Sequence, residues 1–330
     1  MKVAVFSTKA FEKDMLEQES QHYQHEFVFF ETALNEKSVA LTQGFDAVSC
    51  FVTDNLNAAT LKRLHEYGIR LIALRSAGFN HVDVAVATCL GITVVRVPNY
   101  SPYAVAEYAV GLILTLNRKI HRAYQWVREH NFLLTHLLGF DLHGKTVGVV
   151  GTGRIGAIFT RIMHGFGCQL LAFDVVENSD CLAMGVKYVS FDELCRQSDI
   201  ISLHCPLTEK TRHILNKESI AKMKTGVMII NTGRGGLIDT KAIIHGLKKG
   251  KVGYLGLDVY EEEEHLFFRD LSETIIQDET FLRLQTFPNV VITSHQAFFT
   301  QEAVANIVKT TLLNIELFAT EPDKLGENRV

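Results

Sequence analysis

The chain has 330 residues, of which 47% are hydrophobic and 21% are charged, and its formal net charge is −4. This length predicts two domains. A negative net charge is not the excess of basic residues that is typical of a nucleic-acid-binding protein. No apolar run approaches the roughly 18 residues of a membrane span. The six cysteines contain no C-x-x-C pair, so we expect buried, reduced thiols of a cytoplasmic protein and no metal site.

Short apolar runs alternate with helical segments in the first third of the chain. Helices are expected at Ala58–Tyr67 and Val82–Thr88. This alternation is typical of a parallel sheet covered by helices, so a first α/β domain is predicted at residues 1–99. Its predicted strands are Lys2–Phe6, Phe27–Phe30, Ala47–Phe51, Leu71–Leu74 and Thr93–Val95.

A proline-bearing segment, Pro98–Pro102, ends this domain. Ser101 is a good N-cap and Pro102 suits a first helical position. One long helix is predicted from there to about residue 129, because apolar residues recur at helical spacing. They are Val105, Ala109, Leu112, Ile113, Leu116, Ile120 and Tyr124. A helix that leaves a hinge in this way can bridge two domains or two subunits.

A glycine-rich turn follows a predicted strand near the middle of the chain. The strand Thr146–Val150 runs directly into Gly151–Gly156, which reads G-x-G-x-x-G. A helix is expected at Arg154–Phe166, and a second strand, Gln169–Phe173, ends before Asp174. This is the context that a dinucleotide-binding site requires. The alternative is a glycine-rich turn in another kind of α/β protein.

Each part of that turn has a physical role in dinucleotide binding. Gly151 allows a tight turn, Gly153 allows the backbone to approach a pyrophosphate, and Gly156 allows close packing of helix and strand. The N-terminus of the helix presents N–H groups to the phosphates. Asp174 can accept hydrogen bonds from a ribose diol and repels a 2′-phosphate, which favours NAD over NADP.

Alternating elements continue to the end of the chain. Further strands are predicted at Ile200–His204, Val227–Asn231, Tyr254–Leu257 and Val290–Thr293, followed by a helix at Gln301–Phe318. If this helix returns to the first domain, the cofactor domain, residues 100–299, is inserted into a discontinuous substrate domain of residues 1–99 and 300–330. The predicted fold is therefore α/β, with two Rossmann-like, doubly wound parallel-sheet domains.

Three polar features directly follow predicted strands, where ligands bind in open α/β sheets. Arg234 lies among glycines, and its fork matches a carboxylate, although a surface arginine in a flexible turn is equally consistent with the residues. The four glutamates of Glu261–Glu264 resemble a solvated face, and the pattern alone selects none of them. His295 has the chemistry for proton transfer near neutral pH, but it is one of 14 histidines.

Many runs of the chain together resemble the D-isomer-specific 2-hydroxyacid dehydrogenase family, and within it the fermentative bacterial D-lactate dehydrogenases. These runs are Arg75–Asp83, Val95–Pro98, Ala104–Glu107, Gly151–Gly156, Leu203–Thr208, Asn231–Gly235, Gly256–Tyr260 and Thr293–Ala297. The segment Leu266–Asp278 and the run His295–Phe298 favour the lactate branch. Two departures occur beside Arg234: Gly233 stands where Ser or Ala is usual, and a second glycine, Gly236, follows.

The resemblance implies a catalytic role for three residues. The family spacing Asp-x-x-x-x-Glu, counted from Asp258, selects Glu263 from the acidic run. By similarity, Arg234 binds the substrate carboxylate and polarises the ketone, and His295 donates a proton to the ketone oxygen. Glu263 is expected to hold His295 protonated. Further substrate contacts are expected from the backbone N–H groups of Ala77 and Gly78 and from the side chains of Tyr100 and Phe298.

The resemblance also implies NAD as the cofactor. Its expected contacts are Gly151, Gly153, Arg154, Ile155, Gly156, Asp174, Cys205, Pro206, Thr232, Gly233, Arg234 and Asp258. The expected activity is the reversible, NADH-dependent reduction of pyruvate to D-lactate by a cytoplasmic homodimer or higher homo-oligomer. The alternatives are a hydroxypyruvate or branched 2-keto-acid reductase and, more remotely, an NAD-sensing co-regulator that binds partner proteins.

Overall fold

Two sheets, each made only of parallel strands, organise the chain in a computed structural model that describes residues 1–330. The chain divides into a terminal unit, Met1–Ser101 with Phe299–Val330, and a central unit, Pro102–Phe298. The two parallel-sheet α/β units confirm the predicted fold class.

Twelve strands and twelve α-helices make up the chain. The strands, β1 to β12, are Lys2–Val5, Glu26–Phe29, Ala47–Cys50, Leu71–Leu74, Thr93–Val95, Thr146–Val150, Gln169–Phe173, Lys187–Tyr188, Ile200–Leu203, Val227–Asn231, Val252–Leu257 and Val290–Ile292. The helices, α1 to α12, are Ala10–Ser20, Ala58–Glu66, Val84–Cys89, Pro102–Arg118, Ile120–Arg128, Arg154–Gly165, Ser179–Ala183, Phe191–Gln197, Lys217–Lys222, Thr240–Lys248, Glu279–Gln285 and Gln301–Thr320.

The sheet of the terminal unit has the strand order β2-β1-β3-β4-β5. Its strands are apolar on both faces, as expected for parallel strands covered on both sides. On β4, Ile72 belongs to the apolar cluster that contains Leu61 of α2, whereas Leu71 belongs to the cluster that contains Leu312 of α12. The C-terminal helix is therefore part of the core of this unit, and Arg329 forms an antiparallel bridge with β5.

The sheet of the central unit has the strand order β12-β11-β10-β9-β6-β7-β8. The chain moves outward from β6 to β8 and then continues on the other side of β6 with β9. In open α/β sheets, a ligand binds at the carboxyl ends of the strands where the order reverses in this way. The glycine turn follows β6 at this point, and Arg234, Glu263 and His295 follow the three strands beyond β9.

The prediction of one long helix from Pro102 to about residue 129 is wrong. The chain forms α4 and α5, separated by Lys119 in the left-handed conformation with φ 51°. Asn117 donates to the carbonyl oxygen of Phe140 at 2.7 Å and accepts its N–H at 2.8 Å, and Lys119 Nζ donates to the carbonyl oxygen of Leu138 at 2.6 Å. These distant contacts end α4, although the apolar period continues.

The expectation that all cysteines are buried is also wrong in part. All six are free thiols, but Cys89 is exposed and Cys205 is partly exposed. No helix in the structure combines the length and the apolar character that crossing a membrane requires.

Candidate active site

The carboxyl ends of three neighbouring strands carry the three predicted catalytic residues. Arg234 follows β10, Glu263 follows β11 and His295 follows β12, and these strands are hydrogen-bonded in that order. Because the strands are parallel, their carboxyl ends meet at one edge of the sheet. The topology therefore gathers at one edge residues that are far apart in the sequence.

Glu263 and His295 form a direct hydrogen-bonded pair. Nδ1 of His295 lies 2.7 Å from Oε1 of Glu263, and both side chains are partly exposed. The other oxygen, Oε2, accepts the backbone N–H of Tyr260 at 2.8 Å. With Nδ1 occupied by the carboxylate, Nε2 is the ring atom left to exchange a proton with a substrate.

A buried carboxylate holds the loop that carries His295. Asp258 is fully buried, and its two oxygens accept the Thr293 hydroxyl at 2.6 Å and the N–H groups of Gln296 and Ala297 at 2.9 and 2.7 Å. Burial raises the pKa of Asp258, and these hydrogen bonds oppose the rise. His295 itself has φ 51°, a conformation that persists only when its surroundings enforce it. Asp258 therefore shapes this loop, and its expected contact with the cofactor stays a prediction.

The turn that carries Arg234 is held by Asn231 at the end of β10. Oδ1 of Asn231 accepts the N–H of Gly233 at 3.0 Å, and Nδ2 donates to the carbonyl oxygen of Arg234 at 2.9 Å. A Cβ at Gly235 would overlap the backbone of Tyr260 and Glu261. The Arg234 turn therefore lies directly on the segment that leads to Glu263. Sequence reasoning assigned no role to Asn231, although it begins one of the family-like runs.

The acidic run Glu261–Glu264 is not a uniform solvated face. Glu261 lies 2.5 Å from Nε2 of His213 and accepts the Thr240 hydroxyl at 3.1 Å. Glu263 faces His295, whereas Glu262 and Glu264 are exposed. The two alternate glutamates therefore bind different elements, and neither of them is interchangeable with the exposed pair.

The glycine turn has the shape that a dinucleotide requires. Gly151 has φ +94°, and a Cβ there would lie 2.6 Å from the backbone nitrogen of Cys205. A Cβ on Gly153 would meet open space, so the backbone is accessible to a ligand. Helix α6 begins at Arg154 without a side-chain cap, and the N-terminus of a helix presents N–H groups to an anion.

Other groups in the central unit also fit a dinucleotide. The Thr232 hydroxyl at the end of β10 is buried and has no hydrogen-bond partner within the chain, which is the state of a group that a ligand satisfies. Asp174 lies directly after β7 and is partly exposed. Burial raises the pKa of Cys205 to about 11, so this thiol is neutral at physiological pH and contributes packing.

The remaining predicted cofactor contacts lie on the same loops. Arg154 and Pro206 are exposed, and Ile155, Gly233 and Arg234 are partly exposed. Nη1 of Arg234 lies 2.8 Å from the carbonyl oxygen of Gly233, so the arginine is folded against its own turn. Phe298, the last residue of the central unit, is partly exposed.

The terminal unit presents a loop with unused backbone donors. The carbonyl oxygens of Ser76, Ala77 and Gly78 accept hydrogen bonds from Val97 N, Arg96 Nη1 and the Ser76 hydroxyl. None of the hydrogen bonds within the chain uses the N–H of Ala77 or Gly78. In the same unit, Tyr100 is partly exposed, and its carbonyl oxygen accepts Nδ2 of Asn306 at 2.7 Å.

A buried ion pair lies directly before this loop. The guanidinium of Arg75 contacts the Glu12 carboxylate at 3.1 Å, and each residue is 2% exposed. Arg75 also donates to Ser49 Oγ at 3.1 Å and to the carbonyl oxygen of Phe6 at 2.7 Å. Sequence reasoning missed this pair, because nothing in the pattern of α1 marks Glu12 as buried.

Residues 110–297 match the family model described as D-isomer specific 2-hydroxyacid dehydrogenase, NAD binding domain. The chain belongs to this family. The match confirms the resemblance that the motifs indicate, and it confirms NAD as the cofactor of the domain.

Named relatives are similar to the chain over nearly its whole length. The D-lactate dehydrogenase of Escherichia coli is 50% identical over 315 residues, 96% of each chain. A 2-hydroxyacid dehydrogenase homolog of Schizosaccharomyces pombe is 51% identical over 322 residues, 97% of each chain. The structure of Aquifex aeolicus D-lactate dehydrogenase complexed with NAD and lactic acid has a TM-score of 0.87 and 33% identity, covering 99% of this chain and 98% of that one.

Proposed function

We propose that this family member is a D-lactate dehydrogenase that reduces pyruvate to D-lactate with NADH. The observation that carries the proposal is the Glu263–His295 pair, 2.7 Å apart, at the same sheet edge as Arg234. An acid with its supporting carboxylate and an arginine fork are the groups that reduction of a 2-keto acid needs. The similarity to enzymes named D-lactate dehydrogenase supports pyruvate as the keto acid.

The chain's residues divide this work between them. Arg234 binds the substrate carboxylate and polarises the adjacent carbonyl. His295, protonated and held by Glu263, donates the proton on Nε2 to the carbonyl oxygen. Glu263 accepts the hydrogen bond of Nδ1 and so leaves Nε2 to face the substrate. NADH supplies the hydride when it is bound.

The central unit holds the cofactor in this proposal. The N–H groups at the start of α6 take the pyrophosphate, Asp174 takes the adenosine ribose, and Thr232 uses its unpaired hydroxyl near the nicotinamide. We assign the remaining predicted cofactor contacts, Arg154, Ile155, Cys205, Pro206, Gly233 and Asp258, to the same loops. We also assign the N–H groups of Ala77 and Gly78, together with Tyr100 and Phe298, to the substrate.

A panel of 2-keto acids tests the activity. Pyruvate, hydroxypyruvate and 2-ketoisocaproate are compared with NADH, and the handedness of the product is determined with a stereospecific assay. We expect the highest kcat/KM for pyruvate and D-lactate as product. A higher kcat/KM for hydroxypyruvate or the branched acid would show that the chain is a reductase of that acid instead. No turnover with any acid would favour a binding protein.

His295→Gln separates chemistry from cofactor binding. We expect turnover to fall by about 10³-fold, the contribution of a general acid, while calorimetry shows NADH binding unchanged. Loss of both properties together would show that His295 has a structural role instead.

We also propose that the protein is a cytoplasmic homodimer. Large apolar side chains are exposed on α5 and the segment after it, and Leu134 and Leu138 are 81% and 87% exposed. Exposed apolar side chains gathered on one helix and the segment after it favour an interface, and a second copy offers the same residues by two-fold symmetry. The exposed set is Ile120, Tyr124, Val127, Phe132, Leu133, Leu134 and Leu138.

Light scattering coupled to gel filtration tests the dimer. Leu134→Glu with Tyr124→Glu should produce a monomer, whereas Leu41→Glu, at an exposed leucine of the terminal unit, should not. A wild-type monomer would contradict the proposal. The compartment is proposed because all six cysteines are free thiols, as is usual in a reducing cytoplasm, and cell fractionation tests it.

A further inference from the structure

The carboxylate of Asp174 is fixed by the glycine turn beside it. Its Oδ2 accepts the backbone N–H of Thr152 at 2.5 Å and the Thr152 hydroxyl at 3.1 Å. Its Oδ1 accepts the N–H of Val175 at 2.6 Å. Thr152 is 2% exposed, so its two donors approach the carboxylate from the protein side, while Asp174 itself is partly exposed.

A line of donors leads from β8 to this carboxylate. The N–H of Asn178 donates to the hydroxyl oxygen of Tyr188 at 2.8 Å, and the Tyr188 hydroxyl donates to Thr152 Oγ1 at 2.8 Å. A backbone N–H only donates and an ionised carboxylate only accepts, and each hydroxyl has one proton to give. Every hydrogen bond in the line therefore points toward Asp174, and bonds in such a chain strengthen one another.

Two further features keep this line in place. Nδ2 of Asn178 donates to the carbonyl oxygen of Thr152 at 3.0 Å, while its Oδ1 caps α7, so both the backbone and the hydroxyl of Thr152 are held. Burial raises the pKa of Tyr188, which keeps its hydroxyl protonated and a donor at neutral pH.

We infer that Tyr188 and Thr152 are specificity-determining positioning residues, because they hold Asp174 in the single orientation that discriminates NADH from NADPH. The inference rests on the proposed role of Asp174 at the adenosine ribose. A fixed carboxylate forms stronger bonds to a diol than a mobile one, and it keeps its charge where a 2′-phosphate would lie. The four residues after Asp174 offer that phosphate no lysine or arginine and include Glu177.

Calorimetric titration with NADH and with NADPH tests the inference. Tyr188→Phe removes only the hydroxyl, and we expect the Kd for NADH to rise about fivefold, the effect of one hydrogen bond, while the Kd for NADPH changes less than twofold. Thr152→Val removes the next hydroxyl in the line. It should also reduce the preference for NADH, measured as the ratio of the Kd for NADPH to the Kd for NADH. The matched control is Tyr67→Phe in the terminal unit, whose hydroxyl is bonded to Arg63 at 2.7 Å and which should leave both constants unchanged.

The double variant Tyr188→Phe with Asp174→Ala distinguishes positioning from general support of the fold. If Tyr188 acts through Asp174, its substitution has no further effect on the NADH/NADPH ratio once the carboxylate is gone. If Tyr188→Phe changes the NADH/NADPH ratio equally in the wild type and in Asp174→Ala, the inference is overturned. An equal loss of affinity for both cofactors in Tyr188→Phe would also overturn it.

The role of Asp174 itself is read from the single variant Asp174→Ala. If Asp174→Ala reduces the preference for NADH over NADPH but Tyr188→Phe leaves that preference unchanged, the inference is overturned and the proposed cofactor site stays intact. An unchanged ratio in Asp174→Ala would overturn both the ribose role and the inference.

Discussion

Oε1 of Glu263 lies 2.7 Å from Nδ1 of His295, and Oε2 of the same carboxylate accepts the N–H of Tyr260 at 2.8 Å. One side chain therefore ties the proton donor to the backbone after β11. The pair combines a charge effect, since an ionised carboxylate is a strong hydrogen-bond acceptor, with a positional effect, which fixes the ring. The two effects can be separated by experiment.

Glu263→Gln keeps the shape of the side chain and removes its charge. We expect kcat for reduction of pyruvate to fall about 10- to 100-fold, because the neutral amide cannot offer His295 the charged hydrogen bond that the carboxylate offers. Steady-state kinetics with pyruvate and NADH measure this. Glu264→Gln makes the same change at the exposed neighbour and should behave like the wild type; equal losses in both variants would contradict a specific role for Glu263.

Arg234→Lys tests the arginine fork. A lysine keeps the charge but offers a point donor where the guanidinium offers two parallel ones. We expect kcat/KM for pyruvate to fall by about 100-fold or more, within the range of losing a key transition-state contact. The control is Arg212→Lys at a nearby exposed arginine, 3.7 Å from Glu261. Kinetics near those of the wild type for Arg234→Lys would show that Arg234 does not bind the substrate carboxylate.

Asp258→Asn tests the support of the His295 loop. The amide keeps one acceptor oxygen, but its NH₂ group would face either the N–H of Ala297 or the two donors on the other oxygen, so the loop must shift. We expect kcat to fall at least tenfold and stability to fall by about 1–3 kcal/mol, the effect of unsatisfied buried groups. Thr293→Ser keeps a hydroxyl for Asp258 and should retain most activity. Full activity with reduced NADH affinity would instead favour the direct cofactor contact that the sequence predicts.

Most of the fold could be predicted because local patterns agree with it. The predicted strands at Leu71–Leu74, Thr146–Val150, Gln169–Phe173 and Val227–Asn231 have the bounds seen in the structure. The runs are apolar, short and bounded by glycines or polar residues, so local information suffices. The break at Lys119 could not be predicted, because its cause is a segment that returns about 20 residues later.

The site shows the same division between local and distant causes. Arg234, Glu263 and His295 could be selected because each follows a strand end and the family spacing singles out the glutamate. The supporting roles of Asn231, Asp258 and Tyr188 could not be predicted. Asn231 holds the Arg234 turn, Asp258 the His295 loop and Tyr188 the residues beside Asp174, all through neighbours that only the folded chain assembles. Helix α1 and its buried Glu12 are the clearest case, because Arg75, the partner of Glu12, is 63 positions away.

Glu12→Gln tests this distant pair. Removing the carboxylate leaves the buried Arg75 guanidinium without its counter-charge, which typically costs about 3–5 kcal/mol. We expect a lower denaturation midpoint, and a higher KM for pyruvate because Arg75 directly precedes the Ser76–Gly78 loop. Glu17→Gln, on the same helix but 48% exposed and 4.0 Å from Lys13, should change neither. Equal midpoints for the two variants would show that the ion pair is not a major source of stability.

His204 should make the protein sensitive to acid. Burial lowers the pKa of His204 to about 3, and its ring lies 4.8 Å from the ring of Phe159 with Nε2 2.8 Å from the Ser202 hydroxyl. In the unfolded chain the imidazole takes up a proton below about pH 6.5, whereas in the folded chain it stays neutral down to about pH 3. The contribution of neutral His204 to the free energy of unfolding is therefore fully present above pH 6.5 and falls by about 1.4 kcal/mol per pH unit below it.

Urea unfolding at pH 7.5, 6.5 and 5.5 measures this contribution as a difference between variants. His204→Gln retains a polar group for Ser202 and cannot take up the proton, so its loss of stability between pH 6.5 and 5.5 should be smaller than that of the wild type by about 1 kcal/mol. His245→Gln removes an exposed histidine of α10 and should leave the wild-type pH dependence unchanged. Parallel pH curves for wild type and His204→Gln would show that His204 binds its proton equally in the folded and unfolded chains, contrary to its enclosure beside Phe159.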